Sequence, residues 1–320
     1  MINKSKKGYN AHGENNLKIK GRIIAGVGGL YTVRTTDGHD NKDISCRARG
    51  AFRHKNTMPL VGDMVTLDLS AGEDNAIIDG IEERKNSLIR PPVANLDCVF
   101  VAMAAAQPIP MPDMTDKLTA ILEHNGIEPI IVIEKCELDR ERAQELKTVY
   151  EKAGYRVFVL SCVTGEGIDG IKAFVKENLC GKLAAMAGAS GVGKSTLMNA
   201  LFPTLELDMG EVSRKTARGK HTTRAVTLYE VEGGVMFADT PGFSMLDFER
   251  FDFFSVEELP MAFPEINERI GQCRYTKCTH VKEDGCAVVE AVKRGEMAKS
   301  RHDSYVALYD ILKNKHKWDK

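Results

Sequence analysis

Long apolar runs are missing from this 320-residue chain. No stretch approaches the roughly 20 apolar residues that a membrane-spanning helix needs. The first sixteen residues, MINKSKKGYNAHGENN, lack the apolar core of a secretory signal and read as a disordered tail. Internal repeats and low-complexity tracts are also missing, which excludes a solenoid. A charge excess of either sign is missing overall, the net value being −1. Eight cysteines are present, but five are scattered, which argues against the disulfide framework of a secreted domain. These absences lead to the expectation of a cytoplasmic monomer with no membrane partner.

The near-zero charge hides an asymmetry. Residues 1–60 hold 12 Lys/Arg against 4 Asp/Glu, a charge of +8, so the other 260 residues sum to −9. A basic N-terminal module suggests a polyanionic partner. Residues 17–85 alternate in short β-rich stretches separated by turn signals such as Asp37-Gly38, the pattern of a small all-β barrel. The GVGG at 26–29 reads as a bulge or bend in a barrel strand, since no helix pattern follows it. Arg47, Arg49 and Arg53 share strand parity, and with Phe52, His54 and Lys55 nearby they suit RNA contact.

From about residue 86 strands and helices alternate, which predicts an α/β domain with a mostly parallel sheet over 86–247. NLDCVFVAMAA, IIVI, RVFVLSC and KLAAMAGAS are the strands. TDKLTAILEHNG, DRERAQELKTVYEKAG and GIDGIKAFVKENL are the helices. Residues 248–320 become polar and helical.

GASGVGKST matches G-x-x-x-x-G-K-[ST] between a strand and a helix start. Gly188, Ala189, Ser190, Gly191, Val192, Gly193 and Thr196 would wrap phosphate oxygens with backbone N–H groups. Lys194 would reach the β- and γ-phosphates, and the Ser195 hydroxyl would coordinate Mg²⁺. VMFADTPGF supplies a D-x-x-G. Asp239 is placed to hold Mg²⁺ and the Gly242 N–H to sense the γ-phosphate. In RGKHTTRAV, Thr222 or Thr223 would give Mg²⁺ another oxygen, with Thr223 preferred. Phe243 follows Gly242 where Ras-like enzymes carry a water-orienting Gln, so either another residue, His221 being the nearest candidate, or a bound partner orients the water. Slow intrinsic hydrolysis, accelerated by a partner, is the expectation.

Glu134-Lys135-Cys136-Glu137 resembles the guanine-reading box Asn-Lys-x-Asp. Glu137 would accept from the guanine N1 and N2 groups, and the Lys135 stem would pack on the base. Ser161 would brace the SCVTGEG loop, with the Cys162 N–H near guanine O6. Glu134 cannot donate as Asn does, so the expectation is weaker guanine binding. These boxes precede the phosphate loop, so the set reads as a circularly permuted GTPase. Cys273-x4-Cys278-x-His280-x5-Cys286 can close a tetrahedral Cys3His site, structural because protein ligands fill it.

RPPVANLD, GASGVGKST, GKHTTR, DTPGF and the Cys/His cluster together resemble the ribosome small-subunit-dependent GTPases (RsgA/YjeQ), over about residues 17–310. The resemblance implies three domains: an OB-fold at 17–85, a circularly permuted P-loop GTPase at 86–247, and a helical zinc domain at 248–320. It also implies GTP/GDP, Mg²⁺ and one Zn²⁺. The implied partners are the small ribosomal subunit and its rRNA, with subunit-stimulated hydrolysis late in subunit maturation. An NTPase of relaxed base specificity and a weakly catalytic RNA-binding scaffold are the alternatives.

Overall fold

The computed structural model describes residues 17–36, 41–50, 52, 57–203, 226–231, 233–239 and 251–315. Its contacts divide into two compact units, one chiefly of residues up to Ser87 and one chiefly of residues from Leu96 onward.

The first unit is a five-stranded barrel. Its strands are β1 (Lys18–Val27), β2 (Leu30–Thr35), β3 (Asp43–Ala48), β4 (Met64–Asp68) and β5 (Ile77–Ile81). β1 pairs with both β2 and β4, β2 with β3, β3 with β5 and β5 with β4, so no edge is left in the ring. Alternation puts Ile23, Val33, Ile44, Val65, Leu67 and Ile78 inside. Gly21 lets β1 and β2 approach: a Cβ there would lie 2.6 Å from the Arg34 carbonyl oxygen. The GVGG expectation is corrected. Gly28 and Gly29, both at positive φ, form the two-residue turn of the β1–β2 hairpin. The register irregularity lies earlier, between Ile23 and Ala25.

The second unit is an α/β layer structure. Its described parallel strands are β6 (Cys98–Ala104), β7 (Glu128–Glu134), β8 (Arg156–Val159), β9 (Leu183–Gly188) and β10 (Val235–Asp239), in the order β8-β7-β6-β9-β10. All four neighbouring pairs are parallel. β6 and β9 are buried at every position, as strands covered on both faces must be. Phe100 stacks on Phe237 at 5.7 Å in the core. Helices α1 (Pro112–His124), α2 (Arg140–Lys152), α3 (Ile168–Asn178) and α4 (Lys194–Leu201) alternate with the strands. The Asp139 side chain accepts from Arg142 N–H and caps α2. The order of strand addition reverses between β6 and β9, which opens a crevice at their carboxyl ends.

Three further helices follow: α5 (Pro264–Asn267), α6 (Ala287–Lys293) and α7 (Lys299–Lys315). α7 packs on α1 through Arg301, which is 1% exposed. Arg301 Nη1 donates to Asp116 Oδ1 at 2.8 Å and to Thr119 Oγ1 at 3.2 Å. Its Nε and Nη2 donate to the Glu265 carboxylate at 2.8 and 3.2 Å. Nη2 also meets the Tyr155 hydroxyl at 3.3 Å, and the guanidinium lies over the Phe263 ring. Among the described residues no helix is long and apolar enough to cross a membrane.

Candidate functional site

The phosphate loop leaves β9 at the crevice and enters α4. Gly188 is demanded by space as well as by φ, and Gly193 by φ with a close side-chain neighbour. A Cβ on Gly188, at φ 135°, would lie 2.1 Å from the Ala102 carbonyl oxygen of β6. A Cβ on Gly193, at φ 116°, would lie 3.1 Å from the Glu134 carboxyl carbon. Lys194 opens α4, and its ammonium donates to Gly188 O at 2.9 Å and Ala189 O at 2.8 Å. Burial lowers the Lys194 pKa from its ordinary value. Ser190 and Gly191 form the exposed tip of the loop, Val192 is buried, and Ser195 and Thr196 lie in the first turn of α4. A helix N-terminus beside curled backbone N–H groups and one lysine is an anion site.

β7 delivers the loop of Glu134, Lys135, Cys136 and Glu137, expected to read the base, to the same end of the sheet. Lys135 has φ 60°, and its ammonium bridges Gln107 O at 2.7 Å and Gly191 O at 2.8 Å. That side chain ties the base loop to the phosphate loop. Glu134 is 1% exposed. Its Oε2 accepts from Lys135 N–H at 3.2 Å, and its Oε1 accepts from Cys162 Sγ at 2.9 Å. Burial, then the nearby Glu137 charge, push the Glu134 pKa up, while the Cys162 and Lys135 hydrogen bonds oppose this. Cys136 is buried against Leu160 O. Ser161 is buried, and its Oγ accepts from Val163 N–H and Thr164 N–H at 3.2 and 3.1 Å, so it braces the second loop. Glu137 Oε2 is buried with no hydrogen-bond partner. An orphaned acceptor suits the two adjacent donors of a guanine edge.

Asp239 ends β10 beside β9. Its side chain lies outside the described residues, as do His221, Thr222, Thr223, Gly242 and Phe243.

The Cys/His cluster does assemble. The ligand atoms of Cys273, Cys278, His280 and Cys286 all lie within 4.8 Å of one another. His280 Nδ1 is 3.5 Å from Cys273 Sγ and 3.6 Å from Cys286 Sγ, and those sulfurs are 3.9 Å apart. Tetrahedral bonds of about 2.3 Å to sulfur place ligand atoms roughly 3.8 Å apart, so this donor set fits Zn²⁺. Sequence reasoning missed the support behind it. Glu283 accepts from Thr279, Val281 and Lys282 N–H at 2.8, 3.1 and 3.1 Å, and from the Thr279 hydroxyl. Tyr305 donates to Thr279 O at 2.8 Å, and His302 Nε2 lies 2.8 Å from His280 O. A carboxylate three residues before the last cysteine was the available signal for Glu283. Nothing local marked Tyr305 or His302.

On the barrel, Arg47 is exposed, with no ion pair among the described residues. Arg49 is also exposed, but it pairs with Asp68 at 3.2 Å and Asp79 at 2.8 Å, so part of its charge is spent within the barrel. Phe52 is half-buried, and Arg53, His54 and Lys55 lie outside the described residues.

The comparisons with known proteins agree with this geometry. Residues 81–249 match the RsgA GTPase family and residues 20–78 the RsgA N-terminal domain. The chain belongs to the RsgA GTPase family. The small ribosomal subunit biogenesis GTPase RsgA of Halalkalibacterium halodurans is 40% identical over 304 residues, covering 93% of this chain and 98% of that protein. The protein of the same name from Caldanaerobacter subterraneus subsp. tengcongensis is 40% identical over 301 residues, covering 94% and 98%. The crystal structure of YjeQ from Thermotoga maritima aligns with TM-score 0.77 at 33% identity, over 92% of this chain and 99% of that one. YloQ, described as a circularly permuted GTPase, aligns with TM-score 0.73 at 34% identity, over 96% and 99%. Membership in RsgA makes the protein a GTP hydrolase that takes guanine nucleotide. The permuted fold of its structural neighbours also fits the order of motifs read in this chain.

Proposed function

We propose that this RsgA-family protein binds the small ribosomal subunit through its rRNA, hydrolyses GTP with stimulation by that subunit, and assists its late maturation. The observation that carries the nucleotide half is the junction of the phosphate loop with a loop whose Glu137 oxygen is buried and unpartnered. The names of the relatives carry the ribosomal half. In this reading residues 17–85 contact RNA, with Arg47 an exposed basic side chain on β3, 86–247 form the GTPase domain and 248–320 the zinc domain. The protein acts as a cytoplasmic monomer.

Lys194 neutralises charge on the β- and γ-phosphates, and the phosphate-loop N–H groups orient them. Ser195, Asp239 and Thr223 are the residues that would hold Mg²⁺, which neutralises phosphate charge when bound. The Gly242 N–H reports the γ-phosphate. His221 positions the attacking water in place of the missing Gln, and the weakness of that arrangement makes hydrolysis depend on the subunit. Cys273, Cys278, His280 and Cys286 hold one structural zinc. Chelation is expected to release one equivalent and to unfold the 273–302 segment, read by loss of hydrogen-exchange protection there.

Glu134 in place of Asn supports one second reading, an NTPase of relaxed base choice. Turnover of GTP and ATP with and without small subunits separates the two. GTP turnover that rises on adding subunits, and is lost in Lys194→Ala, is expected. Equal ATP turnover would favour the second reading, and fast subunit-independent hydrolysis would remove the role given to the subunit.

A further inference from the structure

Two carboxylates occupy the base-reading loop three residues apart, in unlike surroundings. Glu137 presents an oxygen with no partner. Glu134 has both oxygens engaged, one by Lys135 N–H and one by Cys162 Sγ. Its third neighbour is the phosphate loop, where a Cβ on Gly193 would stand 3.2 and 3.3 Å from the two Glu134 oxygens. A side chain at 193 would press on the Glu134 carboxyl, which would have to shift by a few tenths of an ångström.

No cation pairs with Glu134 among the described residues. The Lys135 ammonium is turned to Gln107 O and Gly191 O. The Lys194 ammonium, next to Gly193, is turned to Gly188 O and Ala189 O. The remaining titratable groups facing it are Glu137 on its own loop and Cys162 on the facing one. A carboxylate there would be buried beside an anion site, countered by two hydrogen bonds and the through-space charge of Lys135 but by no ion pair. A protonated carboxyl has the shape and the donor–acceptor pair of the Asn amide that the Asn-Lys-x-Asp box carries at this position.

We propose that Glu134 is a positioning residue that works as a neutral carboxylic acid, bracing the base-reading loop against Gly193 of the phosphate loop and leaving Glu137 as the loop's only charged reader of guanine. The direction of its pKa shift agrees with this. The inference rests on the guanine-nucleotide reading above and adds a division of labour between the two acids. Ionisation of Glu134 then weakens nucleotide binding without changing which base is preferred.

The test measures affinity of the full-length protein for fluorescent GDP and IDP analogues from pH 5.5 to 8.5. The wild type is expected to weaken at least threefold as pH rises, for both analogues alike. Glu134→Gln, which cannot ionise, is expected to give a flat profile and the same GDP-over-IDP preference. Glu134→Asp, which cannot span to Gly193, is expected to weaken both analogues. Parallel profiles for wild type and Glu134→Gln would overturn the proposal. So would a changed GDP-over-IDP preference, because Glu134 would then touch the base. If Glu134→Gln fails to fold, carbon-13 glutamate resonances of the wild type decide. A Glu134 carboxyl titrating above the ordinary carboxylate range supports the proposal, and one within that range overturns it. If the wild type binds no GDP at any pH, the guanine reading fails, and the same resonance still reports whether Glu134 is neutral.

Discussion

The Arg301 cluster and the loop of Glu134 and Glu137 both bury carboxylate atoms, and they surround them differently. In the cluster, Asp116 and Glu265 share one guanidinium that donates to both, at 2.8 Å in the shortest contact with each. Burial opposes the Arg301 charge, but its acidic neighbours more than offset this and push its pKa up. In the loop, Glu134 meets a backbone N–H and a thiol, and Glu137 leaves an oxygen unsatisfied. A buried guanidinium that donates to two acids holds helices together even with one Asp116 oxygen left open, whereas an open acceptor on a loop beside the phosphate loop, with no cation paired to it among the described residues, suits a ligand.

The sharpest way to break this comparison is to remove the cation. Arg301→Met leaves Asp116 and Glu265 buried without a partner, at an expected cost of about 3–5 kcal/mol. Denaturant unfolding measures it. Adding Asp116→Asn and Glu265→Gln to Arg301→Met is expected to recover much of the loss, because the uncompensated charges go with it. A loss below about 1 kcal/mol in the single variant would mean that water reaches the cluster.

The opposite pattern is expected at the ligand end. Glu137→Gln is expected to weaken GDP binding about 10- to 100-fold, the value of hydrogen bonds to a charged acceptor, roughly 1.5–3 kcal/mol. Stability should be unchanged or slightly higher, since an under-compensated charge is gone. Calorimetric titration and thermal melting on the same preparation read both. A large loss of stability with unchanged GDP affinity would assign Glu137 to structure and erase the contrast.

What could be read without the structure was local. The phosphate loop needs nine contiguous residues and a strand and helix beside them, and GASGVGKST carries all of that in one stretch. The four cluster ligands fall within fourteen residues and close as their spacing predicts. Arg301 is different, because its partners Asp116 and Glu265 are 185 and 36 residues away, and nothing in the periodicity of α7 announces them. Gly28-Gly29 was read with the wrong geometry because a bend within one strand and a hairpin between two have the same composition; pairing of Val27 with Leu30 decides it. Glu134 was visible as a departure, but its direction was not. Only the packing of β7 beside β6, and the close approach of Gly193, reveal that its carboxyl is held between loops.

Glu123, near the end of α1, is the intermediate case and the smallest expected effect. It is half-buried at the margin of the Arg301 cluster. Burial raises its pKa to about 7, Arg301 opposes the shift, and Glu265 and Glu128 add to it. The folded protein therefore holds this proton more tightly than the unfolded chain, whose value is near 4.5. The resulting stabilisation is fully present below about pH 4.5 and is lost as pH rises through about 7. Glu123→Gln removes the titration, so wild-type stability should fall relative to the variant across that window and run parallel outside it. Solvent screening at a partly exposed site keeps the difference below about 1 kcal/mol. Profiles that stay parallel throughout would mean that Arg301 compensates Glu123 in full, and the cluster would then extend one turn further along α1.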